Sequence, residues 1–243
     1  YNSHVWGEVI FYTILCFSYF YMNVIEYNFE HYNTLAPNLY RKEKYRLQVE
    51  LLKLQEDAII NKRKIAVCFE GRDTAGKSST INFFSEHLIP SNFKYVHLGI
   101  PTDEEKANWF ERWEKHLPKK GELVLFDRSW YTRALIEPTL GYCTKTEYKK
   151  FMNKVNKWEK NLIKSDIELI KFYFSIDQDQ QKRRLSARKN SKLKYWKLSK
   201  SDQMMVDKWD LFTLYKNQMF DITSTKIAPW VVVNANNLSL IHI

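Results

Sequence analysis

The stretch from Lys64 to Thr80 limits what this chain can fold into more than any other. Ile65 to Phe69 is an apolar run long enough for one buried strand. Gly71 follows, then four residues, then Gly76, Lys77 and Ser78, which is the phosphate-loop spacing G-x-x-x-x-G-K-[ST]. Ser79 to Leu88 comes next, with Ile81, Phe84 and Leu88 at helical spacing. A strand, a loop of small residues and a helix form a device for holding phosphate. Backbone N–H groups turn inward on the anion, and the new helix points its positive end at the same charge. The spacing predicts that Gly71, Arg72, Thr74, Ala75, Gly76, Ser78 and Ser79 cradle phosphates, that Lys77 reaches the outer ones, and that Ser78 holds Mg²⁺. The plainer alternative is a glycine-containing turn with an exposed lysine.

The rest of the chain fits an alternation of strands and helices. Pro37 precedes an amphipathic helix, Tyr40 to Ile60, with Leu47, Leu51, Leu54 and Ala58 on one face. Strands are expected at Phe93–Leu98, Glu122–Asp127, Ile167–Ile176 and Trp230–Val233. Helices are expected at Glu104–His116, Tyr142–Ile163, Asp177–Lys189 and from a cap at Ser201 or Asp202 to about Phe220. This order implies a three-layer α/β/α fold with a mostly parallel sheet. We expect a segment and helix over 1–60, and a phosphate-loop (P-loop) core over 61–243 with a basic lid at about 182–206.

The 243 residues carry a formal net charge of +10, which favours a polyanionic partner: nucleic acid, an anionic membrane or a phosphate-rich small molecule. Cys16, Cys68 and Cys143 are far apart and odd in number, which supports neither a disulfide framework nor a structural zinc site. A reducing, cytoplasmic setting is the default. Val9 to Ile25 has no charged residue and reaches the lower edge of a membrane-span length. No basic residue precedes it, so it lacks a signal peptide's positive start. A segment packed on the domain or on a second subunit is expected rather than a membrane anchor, the third alternative being a stretch that is not native to the protein.

Two acids and one basic run carry the chemistry. Asp127 ends an apolar strand 50 residues after Lys77, where phosphate-loop enzymes complete a Mg²⁺ site; its bland role is a strand-end cap. Arg128 and Arg133 follow it. Asp73 lies inside the loop, where a carboxylate repels phosphates unless a cation intervenes, so it either helps place Mg²⁺ or braces the loop backbone. Lys182 to Lys200 contains Arg183, Arg184, Arg188, Lys192, Lys194 and Lys197 and no acid. Such runs are usually solvated faces, but after a strand in a phosphate-loop kinase they serve as a lid that neutralises the transferred group and excludes water. Arg184 and Arg188 share a helix face.

Four segments together resemble the polyphosphate kinase 2 family: Phe69–Lys77, Leu125–Ala134 with its Asp-Arg-Ser-Trp-Tyr core, Lys194–Ser199 and Ala228–Val231. The resemblance covers about residues 40 to 233. It implies a P-loop kinase fold related to thymidylate kinase, with a helical lid. It also implies Mg²⁺-dependent transfer of the terminal phosphate of inorganic polyphosphate to a nucleoside diphosphate, ADP or GDP, to make the triphosphate, and the reverse. By the same resemblance Asp73, Lys77, Asp127 and Arg128 line the catalytic centre, Arg133 helps hold phosphates, Arg184 and Arg188 belong to the lid, and Glu137 marks a diphosphate acceptor. The family usually has Gly-Gly after the loop lysine where this chain has Ser78-Ser79, which restores a Mg²⁺-binding hydroxyl.

The expected partners are polyphosphate and nucleoside di- or triphosphates, with neither nucleic acid nor membrane, in a homo-oligomer (dimer or tetramer). One rival is an ATP-using nucleoside-monophosphate kinase of the thymidylate type, which the loop and Asp127-Arg128 also fit. Another is a nucleic-acid-binding NTPase that uses the basic run with stacking from Tyr195 or Trp196.

Overall fold

A computed structural model describes residues 24–27 and 36–237. Within them the chain forms one six-stranded, wholly parallel sheet in the order β1-β6-β5-β2-β4-β3. The strands are β1 (Val24–Tyr27), β2 (Lys64–Gly71), β3 (Phe93–Val96), β4 (Glu122–Asp127), β5 (Ile167–Ser175) and β6 (Trp230–Asn234). β2 and β4 are buried along nearly their whole length, as continuous apolar runs must be when both faces of a sheet are covered. One core, around Trp113, Phe126, Trp130, Tyr131, Phe212 and Trp230, fills one side. A second, around Ile65, Phe69, Ile81, Leu125 and Phe174, fills the other.

The helix α1 (Pro37–Ile60) enters with Pro37 in its first turn, where the missing N–H costs nothing. Its stripe faces the core: Ala58 is fully buried, and Leu51 and Leu54 pack against the second cluster. Gln55 donates to the Ile89 carbonyl at 2.9 Å and accepts from its N–H at 2.7 Å. The other helices are α2 (Lys77–Ser85), α3 (Asp103–Ala107), α4 (Trp109–Glu114), α5 (Ile136–Leu140), α6 (Lys145–Lys164), α7 (Gln178–Lys189), α8 (Lys200–Asp207) and α9 (Trp209–Thr223).

The structure corrects several boundaries. The helix expected over Glu104–His116 is two, broken at Asn108 (φ −109°, ψ 56°), with Thr102 closing a capping box with Glu105. The helix expected to run to Phe220 is also two, broken at Lys208. Its cap is Ser199, and Asp202 is the third residue of that capping box. α6 begins at Lys145 behind the capping box of Thr144 and Glu147, not at Tyr142. β1 adds a strand to those expected: Val24 and Ile25, the end of the uncharged stretch, pair with Trp230 and Val231. Residues 9–23 of that stretch lie outside the described residues. Among the described residues, no helix is long and apolar enough to cross a membrane.

The strand order fixes where a ligand can sit. The chain leaves β2 for the far edge at β3, returns to β4 beside β2, and then crosses to β5 on the other side. Ligands of open parallel sheets sit beyond the carboxyl ends of the strands at such a reversal. β2 ends at Gly71, and Phe69 pairs with Asp127 at the end of β4.

Candidate active site

The phosphate loop is shaped by three left-handed backbone positions: Gly71 (φ 139°), Thr74 (φ 64°) and Gly76 (φ 100°). At Gly71 a side chain is excluded as well, because a Cβ there would lie 2.4 Å from the Phe174 carbonyl oxygen. Gly76 is the residue that turns the loop into α2. Lys77 is buried, and its ammonium donates to the carbonyls of Gly71 (3.0 Å) and Arg72 (2.9 Å), so it spans the loop it belongs to. Ala75 is buried under the loop, Ser78 is exposed at the start of α2, and Ser79 is half-buried.

The end of β4 closes against this loop at two points. Ser78 Oγ donates to Asp127 Oδ2 at 2.5 Å. Arg128 forms an ion pair with Asp73. Arg128 itself sits at φ 69°, an uncommon conformation for a large side chain, and its N–H donates to the Phe69 carbonyl at 3.1 Å. Glu70 braces the same turn: its Oε1 accepts from the Ser129 N–H at 2.7 Å and the Ser129 hydroxyl at 2.8 Å.

Charge is concentrated here out of water. Burial raises the Asp73 carboxyl, but Arg128, Lys77 and Arg188 outweigh it and hold it below its ordinary value. Burial lowers the Lys77 ammonium, and the neighbouring Arg128 lowers it further. Burial pushes the Glu70 carboxyl up despite the two Ser129 donors. Lys77 and Arg128 thus lie within electrostatic reach of Asp73, Asp127 and Glu70, and Arg188 within reach of Asp73. Tyr95 and His97 complete it. The Tyr95 hydroxyl donates to Asp127 Oδ2 at 2.8 Å, and burial with the adjacent Asp127 keeps that hydroxyl protonated well into alkali. His97 Nδ1 lies 3.3 Å from the Asp127 carbonyl oxygen.

Among the described residues, no group of three or more His, Cys, Asp or Glu side chains is gathered to hold a metal. Asp127 and Ser78 do meet in a pair, with Asp73 held nearby by Arg128. One or two carboxylates and a hydroxyl fit Mg²⁺, which takes its remaining ligands from phosphates and water.

A family model described as Polyphosphate kinase 2 (PPK2) matches residues 34–242. The chain belongs to the polyphosphate kinase 2 family. It is 42% identical over 211 residues to a GDP-polyphosphate phosphotransferase of Pseudomonas aeruginosa, covering 86% of this chain and 59% of that one. It is 45% identical over 199 residues to NDP-polyphosphate phosphotransferase 2 of Ruegeria pomeroyi, covering 82% and 58%. The chain therefore spans somewhat under two thirds of the length of these curated relatives. The crystal structure of polyphosphate kinase 2 from Arthrobacter aurescens superposes with a TM-score of 0.79 at 29% identity, covering 86% of this chain and 78% of that one.

Within this polyphosphate kinase 2 fold the expected site residues divide into two sets. Asp73, Lys77, Ser78, Asp127 and Arg128 come together at the loop. Other residues of the expected set are held by protein partners. The Arg72 guanidinium stacks on Trp209 at 3.4 Å and donates to Thr213 Oγ1 at 2.6 Å, tying the loop to α9. Arg133 is buried over Trp109 and paired with Glu137 (2.7 Å) and Glu147 (3.1 Å). Arg184 donates to the carbonyls of Thr74 (3.0 Å), Ala235 (2.7 Å) and Asn236 (2.9 Å), so it fastens α7 to the loop. Gln181, one turn earlier, donates to the Asp73 carbonyl at 3.0 Å. Arg183, Lys192, Lys194 and Lys197 are exposed, as are Tyr195 and Trp196. A cleft of about 310 Å³ opens beside the turn after Asp127, lined by Lys106, Asn108, Trp109, Arg133, Glu147 and Lys154.

Sequence reasoning missed Glu70, Tyr95, His97 and Gln181 as parts of this site. Tyr95 reads as one apolar residue of an alternating strand, and Gln181 as a helix-surface amide. Only the i, i+2 placement of Tyr95 and His97 marks a shared face.

Proposed function

We propose that this chain is a polyphosphate:nucleotide phosphotransferase that moves the terminal phosphoryl group of inorganic polyphosphate to ADP or GDP and runs the reverse. The observation that carries this is the double closure of the β4 end on the phosphate loop, Ser78 to Asp127 and Arg128 to Asp73. It gathers the cations and carboxylates of a phosphoryl-transfer centre at the carboxyl end of a parallel sheet. The names of the similar proteins, GDP- and NDP-polyphosphate phosphotransferase, supply the substrate class.

In the forward direction an oxygen of the acceptor's terminal phosphate forms a bond to the end phosphorus of the polyphosphate. The bond from that phosphorus to its bridging oxygen breaks, and the shortened chain leaves with the electron pair. The attacking oxygen is already ionised at neutral pH, so the site needs no strong base. What it must supply is alignment and charge neutralisation. The loop N–H groups, Lys77 and Arg128 face the reacting phosphates, and the exposed basic run after Arg183 receives the long anion. Mg²⁺ held by Asp127 and Ser78, with Asp73 in support, would neutralise phosphate charge. The cleft beside Arg133, with Glu137 on that arginine, is the place we assign to the acceptor nucleotide.

Two lesser readings go with it. Cys68 is buried and Cys143 half-buried, both are free thiols, and burial raises both, which fits a reducing cytoplasmic compartment. Leu211, Leu214 and Ile222 expose apolar surface on one side of α9, which fits a homo-oligomer. The function is tested by comparing phosphate donors at fixed ADP and Mg²⁺. Polyphosphate should support ATP formation and an added nucleoside triphosphate should not be required. A strict requirement for a nucleoside triphosphate would replace this reading with that of a nucleotide kinase.

A further inference from the structure

Asp127 is served by a donor that its own loop does not provide. Tyr95 lies on β3, at the sheet edge, and reaches across to the end of β4. Its hydroxyl and that of Ser78 converge on the same oxygen, Asp127 Oδ2, at 2.8 and 2.5 Å. Among the described residues, no hydrogen bond reaches Oδ1. The Asp127 side chain is 3% exposed, so its rotamer is decided by these donors and not by water. Tyr95 is itself fixed, because the His97 ring lies parallel to it with centroids 6.5 Å apart, and His97 Nδ1 is 3.3 Å from the Asp127 carbonyl oxygen. Tyr95 is 46% exposed, so a tyrosine here is not explained by core filling.

We propose that Tyr95 is a positioning residue for the cation corner: by holding Asp127 Oδ2 together with Ser78, it presents Oδ1 to the divalent cation. The inference rests on the phosphotransferase reading for its cation but not for its geometry. A carboxylate that takes two donors on one oxygen has one oxygen left for a metal. Without Tyr95 the Ser78 hydroxyl alone would orient the carboxylate, because His97 Nδ1, 3.9 Å from Oδ2, is beyond hydrogen-bond distance.

The test is Tyr95→Phe, which removes the hydroxyl and keeps the ring. Two readouts are compared with the unsubstituted protein. The first is the Mg²⁺ concentration giving half-maximal ATP formation at saturating ADP and polyphosphate. The second is the rise in Tm that MgCl₂ produces in the presence of ADP alone, which requires no turnover. Loss of one charge-assisted hydrogen bond should raise the half-saturating Mg²⁺ concentration about tenfold and shrink the Mg²⁺-dependent rise in Tm. The Tm without Mg²⁺ should fall by only about 2–4 °C, the cost of one hydrogen bond in a domain of this size, and the KM for polyphosphate should stay unchanged. Tyr95→Ala should reproduce the Mg²⁺ effect, since it too lacks the hydroxyl. An unchanged Mg²⁺ requirement and Tm rise in Tyr95→Phe would overturn the proposal, as would a fall in Tm without Mg²⁺ that accounts for the whole effect. Absence of polyphosphate-dependent ATP formation in the unsubstituted protein would sink the proposed function, while the Tm readout would still decide on Tyr95.

Discussion

Replacing Lys171 by methionine tests how the reactive turn is held from below. Lys171 is fully buried on β5, and its ammonium donates to Glu159 Oε2 (2.9 Å), the Tyr131 hydroxyl (3.1 Å) and the Thr223 carbonyl (2.9 Å). Glu159, also buried, accepts from Tyr131 (2.6 Å) and from Trp130 Nε1 (3.0 Å) through its other oxygen. Trp130 and Tyr131 belong to the turn between Arg128 and Arg133, so this ion pair is the floor of the site. Methionine fills the volume but leaves a buried carboxylate without its countercharge and the Thr223 carbonyl without a donor. Breaking a buried pair from one side costs about 3–5 kcal/mol. The two donors that Glu159 keeps place this case near about 3 kcal/mol. For a domain of this size that corresponds to a Tm lower by about 6–12 °C, read by circular dichroism on heating. Adding Glu159→Gln removes the stranded charge and keeps an acceptor for Trp130 and Tyr131, so the double variant should regain much of the loss. A Lys171→Met Tm within about 1 °C of the unsubstituted protein would refute this account of the floor. A double variant less stable than the single one would do the same.

Other outcomes depend on the site itself. Glu70→Ala strands the N–H and hydroxyl of buried Ser129 and should cost about 2–3 kcal/mol in urea unfolding, whereas Glu70→Gln keeps the acceptor and should cost less than about 1 kcal/mol. Asp73 gives a pH signature. Its folded carboxyl titrates below the unfolded one, so its stabilisation is fully present above the unfolded value near 3.8 and is lost as pH falls through the folded value. The Tm difference between the unsubstituted protein and Asp73→Asn should therefore be constant from neutral pH down to about pH 5 and shrink below about pH 4. A difference independent of pH would contradict the ion-pair assignment.

How much of the fold can be read from the sequence depends on the strength of the local signal. β2, the phosphate loop, α2 and β4 are legible because apolar runs bounded by glycine or an acid admit few other structures. β1 is not, because Val24–Tyr27 is the end of a long uncharged stretch that has no strand boundary of its own. The breaks at Asn108 and Lys208 are hidden for a different reason. Tertiary contacts accompany both: Trp109 turns inward to donate to the Trp130 carbonyl at 2.9 Å, and Lys208 donates to the Thr139 carbonyl at 3.1 Å. The arginines show the limit most clearly. A guanidinium in a loop is visible in sequence, but its partner is not. Arg72 is held by Trp209 and Thr213, Arg133 by Glu137 and Glu147, and Arg184 by three carbonyls. Apart from Glu137, four residues from Arg133, those partners lie far along the chain, up to 141 residues away, and only the fold brings them together. Asp127 can be paired with the loop from sequence alone, because an acid at the end of a neighbouring strand is what a phosphate loop calls for. Tyr95 cannot, because its strand reads as ordinary alternation.

The central claim is that polyphosphate-driven phosphoryl transfer takes place where Ser78 and Asp127 meet and Lys77 spans the loop. The most direct test is the rate of ATP formation from ADP, Mg²⁺ and polyphosphate, with no ATP added, for the unsubstituted protein, Lys77→Ala and Asp127→Asn. The account predicts ATP from the unsubstituted protein and rates at least about a hundredfold lower from both variants, with folding intact by circular dichroism. No ATP from the unsubstituted protein, or near-normal rates from either variant, would contradict it.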